Sequence, residues 1–152
     1  MTKAEAQRIR ELKRSISLTV RMIKDTDEDE KLLAECLYPK ASLDAMPHGS
    51  GRHDSPQERL ILTQERQRAR LERELAAMQT EYCRLLEDFQ TFCQTITPQQ
   101  AMILSSRYVK GMTVEATAAR FGLSISTVKA EAAKAWRQAA DNGSGADPDG
   151  RS

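Results

Sequence analysis

The chain has 152 residues, 30% of them charged and only 5% aromatic, with a formal net charge of +1. That length holds one ordinary domain or a small domain joined to extended helices, and the composition favours long solvated helices over a large round core. Apolar runs are as short as Leu60-Ile61-Leu62, which excludes a membrane-spanning helix. The first residues offer no secretion signal, and three cysteines at no metal-binding spacing suit a reducing cytoplasm.

Residues 3–24 carry the spacing of an amphipathic helix. Ile9, Leu12, Ile16, Val20 and Ile23 recur at intervals of three and four, with Arg8, Arg10, Lys13 and Arg14 between them. The acidic run from Asp25 to Glu30 either interrupts this helix or opens a second one bearing Leu32, Leu33, Cys36 and Leu37. Pro39 ends the segment, so residues 1–37 form the N-terminal helical part. Residues 38–55 lose all periodicity, and the stretch from Met46 to Ser55 has the composition of a flexible linker. His48 and His53 fall in it, and together with Cys36 they match no zinc-ligand spacing. No metal and no other cofactor is expected.

A second helix starts at Asp54 or Ser55, either of which suits a cap, with Pro56 in the first turn. It should run to about Ile96, roughly 60 Å at 1.5 Å per residue. Leu71, Leu75, Met78, Tyr82, Leu85, Phe89, Phe92 and Ile96 form a regular heptad seam, and upstream the same register meets Arg68, Gln64 and Ile61. So narrow a stripe needs covering, either by the N-terminal helix folded back as an antiparallel hairpin or by a second copy of the chain in a homodimer. At heptad spacing, Tyr82, Phe89 and Phe92 read as packing rather than as a platform for bases, and Cys83 and Cys93 as packing residues beside the seam. Arg66, Arg68, Arg70 and Arg73 alternate with Glu65, Glu72 and Glu74, the pattern of a solvated face.

The charge is unevenly spread. Residues 1–96 hold 16 basic and 17 acidic side chains, whereas residues 97–140 hold six basic ones against Glu115 and Glu131 alone. A polyanion-binding patch therefore belongs to the C-terminal part. Thr97-Pro98 caps a helix bearing Ala101, Ile103, Leu104, Tyr108 and Val109, and Gly111 suits a left-handed stop. Thr113 caps a short helix, 114–121, and Gly122-Leu123-Ser124 makes a tight turn into a last helix that ends near Ala139. These are the requirements of a helix-turn-helix. Gly122 supplies positive φ at the bend, Ala118 is small where the helices cross, and Phe121, Leu123, Val128, Ala132 and Trp136 supply the inner face. The start of the last helix is short and polar, as entry into a major groove demands. Ser124, Ser126, Thr127, Lys129 and Ala130 are the expected DNA-facing residues, with Arg107, Lys134 and Arg137 on phosphates.

Thr97-Pro98-Gln99-Gln100, Arg107-Tyr108-Val109-Lys110-Gly111-Met112-Thr113 and the run from Ala118 to Lys129 resemble region 4 of sigma-70-type factors. The layout as a whole resembles that of small phage and prophage transcription regulators of the ArpU and RinA kind. The resemblance implies a DNA-binding transcription regulator, with double-stranded DNA and RNA polymerase as partners, acting on phage late or packaging genes. Thr117 stands where the family usually has Ile or Val, and Ala132 where it has a larger residue. The core should therefore be lightly filled, with Trp136 compensating. Nothing matches sigma region 2.

The fold expected is all-α: an N-terminal antiparallel hairpin or coiled coil through residue 96, a three-helix helix-turn-helix domain over 97–140, and a disordered tail over 141–152. The chain has no glycine-rich phosphate loop and no nucleophile paired with a base, so catalysis is the losing class. Two other readings stay open: a DNA-packaging protein of the small-terminase kind, and a module that contacts RNA polymerase instead of DNA.

Overall fold

The computed structural model describes residues 1–37 and 55–144, leaving the side chains of Leu37 and Ser144 aside. Residues 38–54 of the linker expected over 38–55, with His48 and His53, and residues 145–152 of the tail expected over 141–152 lie outside the described residues. The elements are α1 (Lys3–Leu37), α2 (Pro56–Cys93), α3 (Pro98–Leu104), a π-helical turn (Ser105–Val109), α4 (Val114–Phe121) and α5 (Ile125–Ser144). The protein is all-α, and no strand occurs among the described residues. By their contacts they form two compact units, Met1–Arg14 with Thr80–Ser152, and Ser15–Gln79.

Helix starts follow local chemistry. Glu5 N–H donates to the Thr2 hydroxyl at 3.2 Å while the Glu5 carboxylate accepts from Thr2 N–H at 2.7 Å, and that backbone donor holds the Glu5 pKa below its ordinary value. Ser55 and Glu58 repeat the reciprocal arrangement ahead of Pro56, at 3.2 and 3.4 Å. The cap of α2 is therefore Ser55. α2 ends slightly before Ile96, in a tight turn closed by Thr95 N–H on the Phe92 carbonyl at 2.9 Å.

α1 and α2 pair antiparallel, the hairpin arrangement. In the first unit Arg8 Nε donates to Glu81 at 3.0 Å, and Ala6, Ile9, Leu12, Leu85, Phe89 and Phe92 are buried. In the second unit Arg68 reaches Asp27 at 2.8 Å and Glu30 at 3.4 Å. The α2 seam keeps its register over its whole length: Leu71 is buried, Leu75, Met78, Tyr82 and Ile96 half-buried, and so are Ile61, Gln64 and Arg68 upstream.

Two expectations for α1 need correcting. The acidic run does not break it, since a single helix spans Lys3–Leu37. Asp27 and Glu30 lie against Arg68, so they occupy the seam instead of ending the helix. Val20 is not on the buried stripe: it is 48% exposed, while Thr19 is 8% exposed. Cys83 is also exposed rather than packed, whereas Cys93 is half-buried.

Candidate nucleic-acid interface

Each helix of the C-terminal part is fixed by the residues at its ends. Thr97 caps α3: its hydroxyl accepts from Gln100 N–H at 3.3 Å, and Gln100 Oε1 accepts from Thr97 N–H at 3.3 Å. The remaining end of the buried Gln100 side chain donates to Glu131 of α5 at 3.1 Å, so the capping residue of α3 also ties down α5. The Lys134 ammonium, foremost, and the Gln100 amide hold the Glu131 pKa below its ordinary value. After Leu104 the backbone widens into a π-turn in which Lys110 N–H reaches the Ser105 carbonyl at 3.0 Å. Gly111 then stops it at φ 72°, and Met112 N–H closes on the Ser106 carbonyl at 2.9 Å.

α4 begins at Thr113, whose hydroxyl accepts from Ala116 N–H at 3.1 Å. It ends at Gly122, with φ 64° and ψ 31°, where Leu123 N–H bonds the Ala118 carbonyl at 2.9 Å. That is the Schellman stop that the bend of a helix-turn-helix requires. Ser124 starts α5, its hydroxyl accepting from Thr127 N–H at 3.1 Å and lying 2.7 Å from the Thr127 hydroxyl.

The helices close on a small core of Ile103, Ala118 and Val128, with Val114, Leu123 and Ala132 packed against it. Thr117 is fully buried, and its hydroxyl is satisfied by the Thr113 carbonyl at 2.8 Å. Trp136 completes the filling: its ring stacks on Phe92 of α2 at 5.2 Å and meets Tyr108 edge-on at 5.6 Å. Phe121 is only half-buried; the Arg120 guanidinium lies 5.8 Å from its ring centre, and together they line a cleft of about 420 Å³ with Met102 and Cys93. Burial pushes the Cys93 thiol up, away from the reactive thiolate.

The expected contact residues fall into four groups. Ser124, Ser126, Lys129 and Ala130 are exposed at the start of α5. Thr127 is half-buried, its hydroxyl engaged by Ser124. Lys134 and Arg137 are exposed further along, Lys134 paired with Glu131 at 3.1 Å and Arg137 Nε donating to the Ala133 carbonyl at 3.4 Å. Arg107 sits on the π-turn, half-buried, and lines with Lys129 a cleft of about 370 Å³. Lys3 and Arg10 of α1 line that cleft too, and sequence reasoning passed over both. Their spacing marks them as solvent-facing residues of an amphipathic helix, and only the docking of α1 reveals their neighbours. α5 itself runs on to Ser144, past the end expected near Ala139.

Among the described residues no group of three or more His, Cys, Asp or Glu is placed to hold a metal ion, and no helix is long and apolar enough to cross a membrane. Comparison with the curated proteins and with the solved structures gives no match. Residues 86–138 match the family model for sigma-70 region 4, a span that opens within α2 and takes in Phe92, so the helix-turn-helix of α3 to α5 is similar to that region.

Proposed function

We propose that this protein is a sequence-specific DNA-binding transcription regulator of phage or prophage origin, acting in the cytoplasm. The carrying observation is the start of α5: a helix N-terminus held by Ser124 behind the Gly122 turn, presenting Ser126, Lys129 and Ala130 to solvent within a region 4-type domain. Such an end is narrow and polar, as the major groove requires. Lys129 and Ser126 offer groups to base edges, Ala130 is small enough to meet a thymine methyl, and Ser124 and Thr127 brace the turn near them. Lys134, Arg137 and Arg107 reach phosphates. The phage assignment rests on layout, a helical N-terminal part ahead of a region 4-type domain, as in regulators of the ArpU and RinA kind.

One such domain makes few contacts, so a homodimer on two half-sites would raise affinity. The proposed dimer surface is the seam Leu71, Leu75, Met78, Tyr82, Leu85, Phe89 and Phe92, whose residues are buried or half-buried within one chain and would have to be uncovered for copies to pair through it. RNA polymerase is the further partner proposed, through the same domain.

The test is duplex binding by the full chain across a salt series, on fragments from its own genomic neighbourhood, beside Lys129→Ala. The expected result is one preferred fragment, affinity that falls with salt, and a loss of about 1–3 kcal/mol of discrimination in the variant. No binding to any fragment at low salt refutes the reading and leaves a protein partner as the target.

A further inference from the structure

Lys3 and Arg10 of α1, Arg107 of the π-turn and Lys129 of α5 converge on one cleft, and no carboxylate lines it. None of these four side chains has an ion-pair partner among the described residues. Four other cations of the helices are matched: Arg8 with Glu81, Arg68 with Asp27, Glu30 and Glu72, Arg70 with Glu74, Lys134 with Glu131. What marks the cleft is that four such cations line one hollow. Like charges gathered on low-dielectric walls repel one another, and an anion seated between them relieves that repulsion.

Donors outnumber acceptors here as well. Arg10 Nη2 is anchored on the Gly111 carbonyl at 3.5 Å, while its buried Nε and the buried Nε1 of Trp136, another lining residue, have no protein acceptor. Native structures leave few buried donors unpaired; here one belongs to Arg10, itself among the four unmatched cations, and the other to Trp136, and together they point to one kind of ligand. That ligand carries several acceptor oxygens and negative charge, which is the chemistry of phosphate.

We infer that this cleft seats the sugar-phosphate backbone of the duplex that α5 reads, and that α1, which lies outside the matched residues 86–138, is thereby part of the nucleic-acid surface. The inference rests on the DNA-binding reading above. Lys129 joins the two: it belongs both to the exposed start of α5 and to the cleft wall. A free phosphate has the same chemistry, and the test separates the two sources.

The full chain and Lys3→Gln/Arg10→Gln are compared on the preferred fragment over a salt series. Each phosphate contact contributes about 0.9 to the slope of log affinity against log salt. The double variant should lose about 1.8 of that slope and bind roughly 60-fold more weakly at 0.1 M salt, with its ranking of fragments unchanged. Arg10→Lys in place of Arg10→Gln should restore about half of the lost slope, because it keeps the charge. Lys3→Gln alone, at an exposed residue, should lose about 0.9 of slope and reads the same question if the double variant melts early. If the folded variants keep the wild-type slope while the wild type binds DNA, the inference falls and the α5 reading stands. If the slope is kept but millimolar inorganic phosphate raises the melting temperature of the wild type alone, the cleft takes free phosphate and the backbone assignment is overturned. If the wild type binds no duplex at any salt, the DNA reading and this inference fall together.

Discussion

Replacing Gly122 by alanine isolates the cost of the bend that orients α5. The glycine lies at φ 64° and ψ 31°, and a Cβ built there meets no atom within 4 Å. No packing term therefore enters. What remains is the cost of holding an L-residue in the left-handed region, about 1–2 kcal/mol. Gly122→Ala should destabilise the protein by about that amount, and Gly122→Asn by less, because asparagine tolerates this conformation better. Gly111, at φ 72° and equally unobstructed, should give a similar figure, and the two losses should add, since the glycines end different helices. Equilibrium urea unfolding followed by circular dichroism is the assay, read as a shift in midpoint at constant slope. Where both proteins are folded, duplex affinity should match the wild type, because the bend has the same geometry once formed. An alanine variant as stable as the wild type would show that the backbone does not take the left-handed turn. A loss above about 4 kcal/mol would exceed what backbone strain supplies and would refute the open surroundings of the glycine.

Two further outcomes follow from the packing of α5. Trp136→Phe should cost less than about 1.5 kcal/mol, because the stack on Phe92 survives and the indole N–H has no acceptor to lose; Trp136→Ala should cost about 3 kcal/mol in the same unfolding assay. Equal losses from the two would show that the ring is not the filler. The Glu131 carboxyl has a folded-state pKa lowered by Lys134 and Gln100, so its stabilisation is fully present above the unfolded-state value and disappears as pH falls through the folded one. Stability measured from about pH 6 down to about pH 3 should fall less steeply in Glu131→Gln than in the wild type, and a steeper fall in the variant contradicts the assignment.

The features legible in the sequence were those whose causes are local. Thr97, Thr113 and Ser124 cap where their side chains predict, and Gly111 and Gly122 stop helices because only glycine enters the left-handed region without cost. The α2 seam was readable because its repeat is regular even through Gln64 and Arg68. α1 was misread at Val20 for a geometric reason: an unpaired helix repeats every 3.6 residues, but a paired one holds a 3.5-residue seam, and the difference accumulates. From Ile9, Leu12 and Ile16 the paired register passes to Thr19. The continuity of α1 through its acidic run depends on Arg68, a partner far off in sequence, and no local pattern contains it. The exposed, short and polar start of α5 was legible from Ser124, Ser126 and Lys129 themselves. The grouping of Arg107 and Lys129 with Lys3 and Arg10 was not, because it arises only when α1 docks.

The π-turn bears on how chains of this kind should be aligned. Counting from the fully buried Ile103 and Leu104, a uniform α-helix would turn positions 107 and 108 inward one turn later. Here Tyr108 goes in and Ser106 with it, while Arg107 stays half-buried beside the cleft. The wider turn accommodates one residue more than the helical rise needs, and that surplus keeps a cation out of the apolar interior. A relative one residue shorter between Leu104 and Gly111 would show a single gap inside a helix, where gaps are usually moved to the nearest loop. Moved in that way, the alignment would set Arg107 against a core residue and hide the change that frees the position for charge.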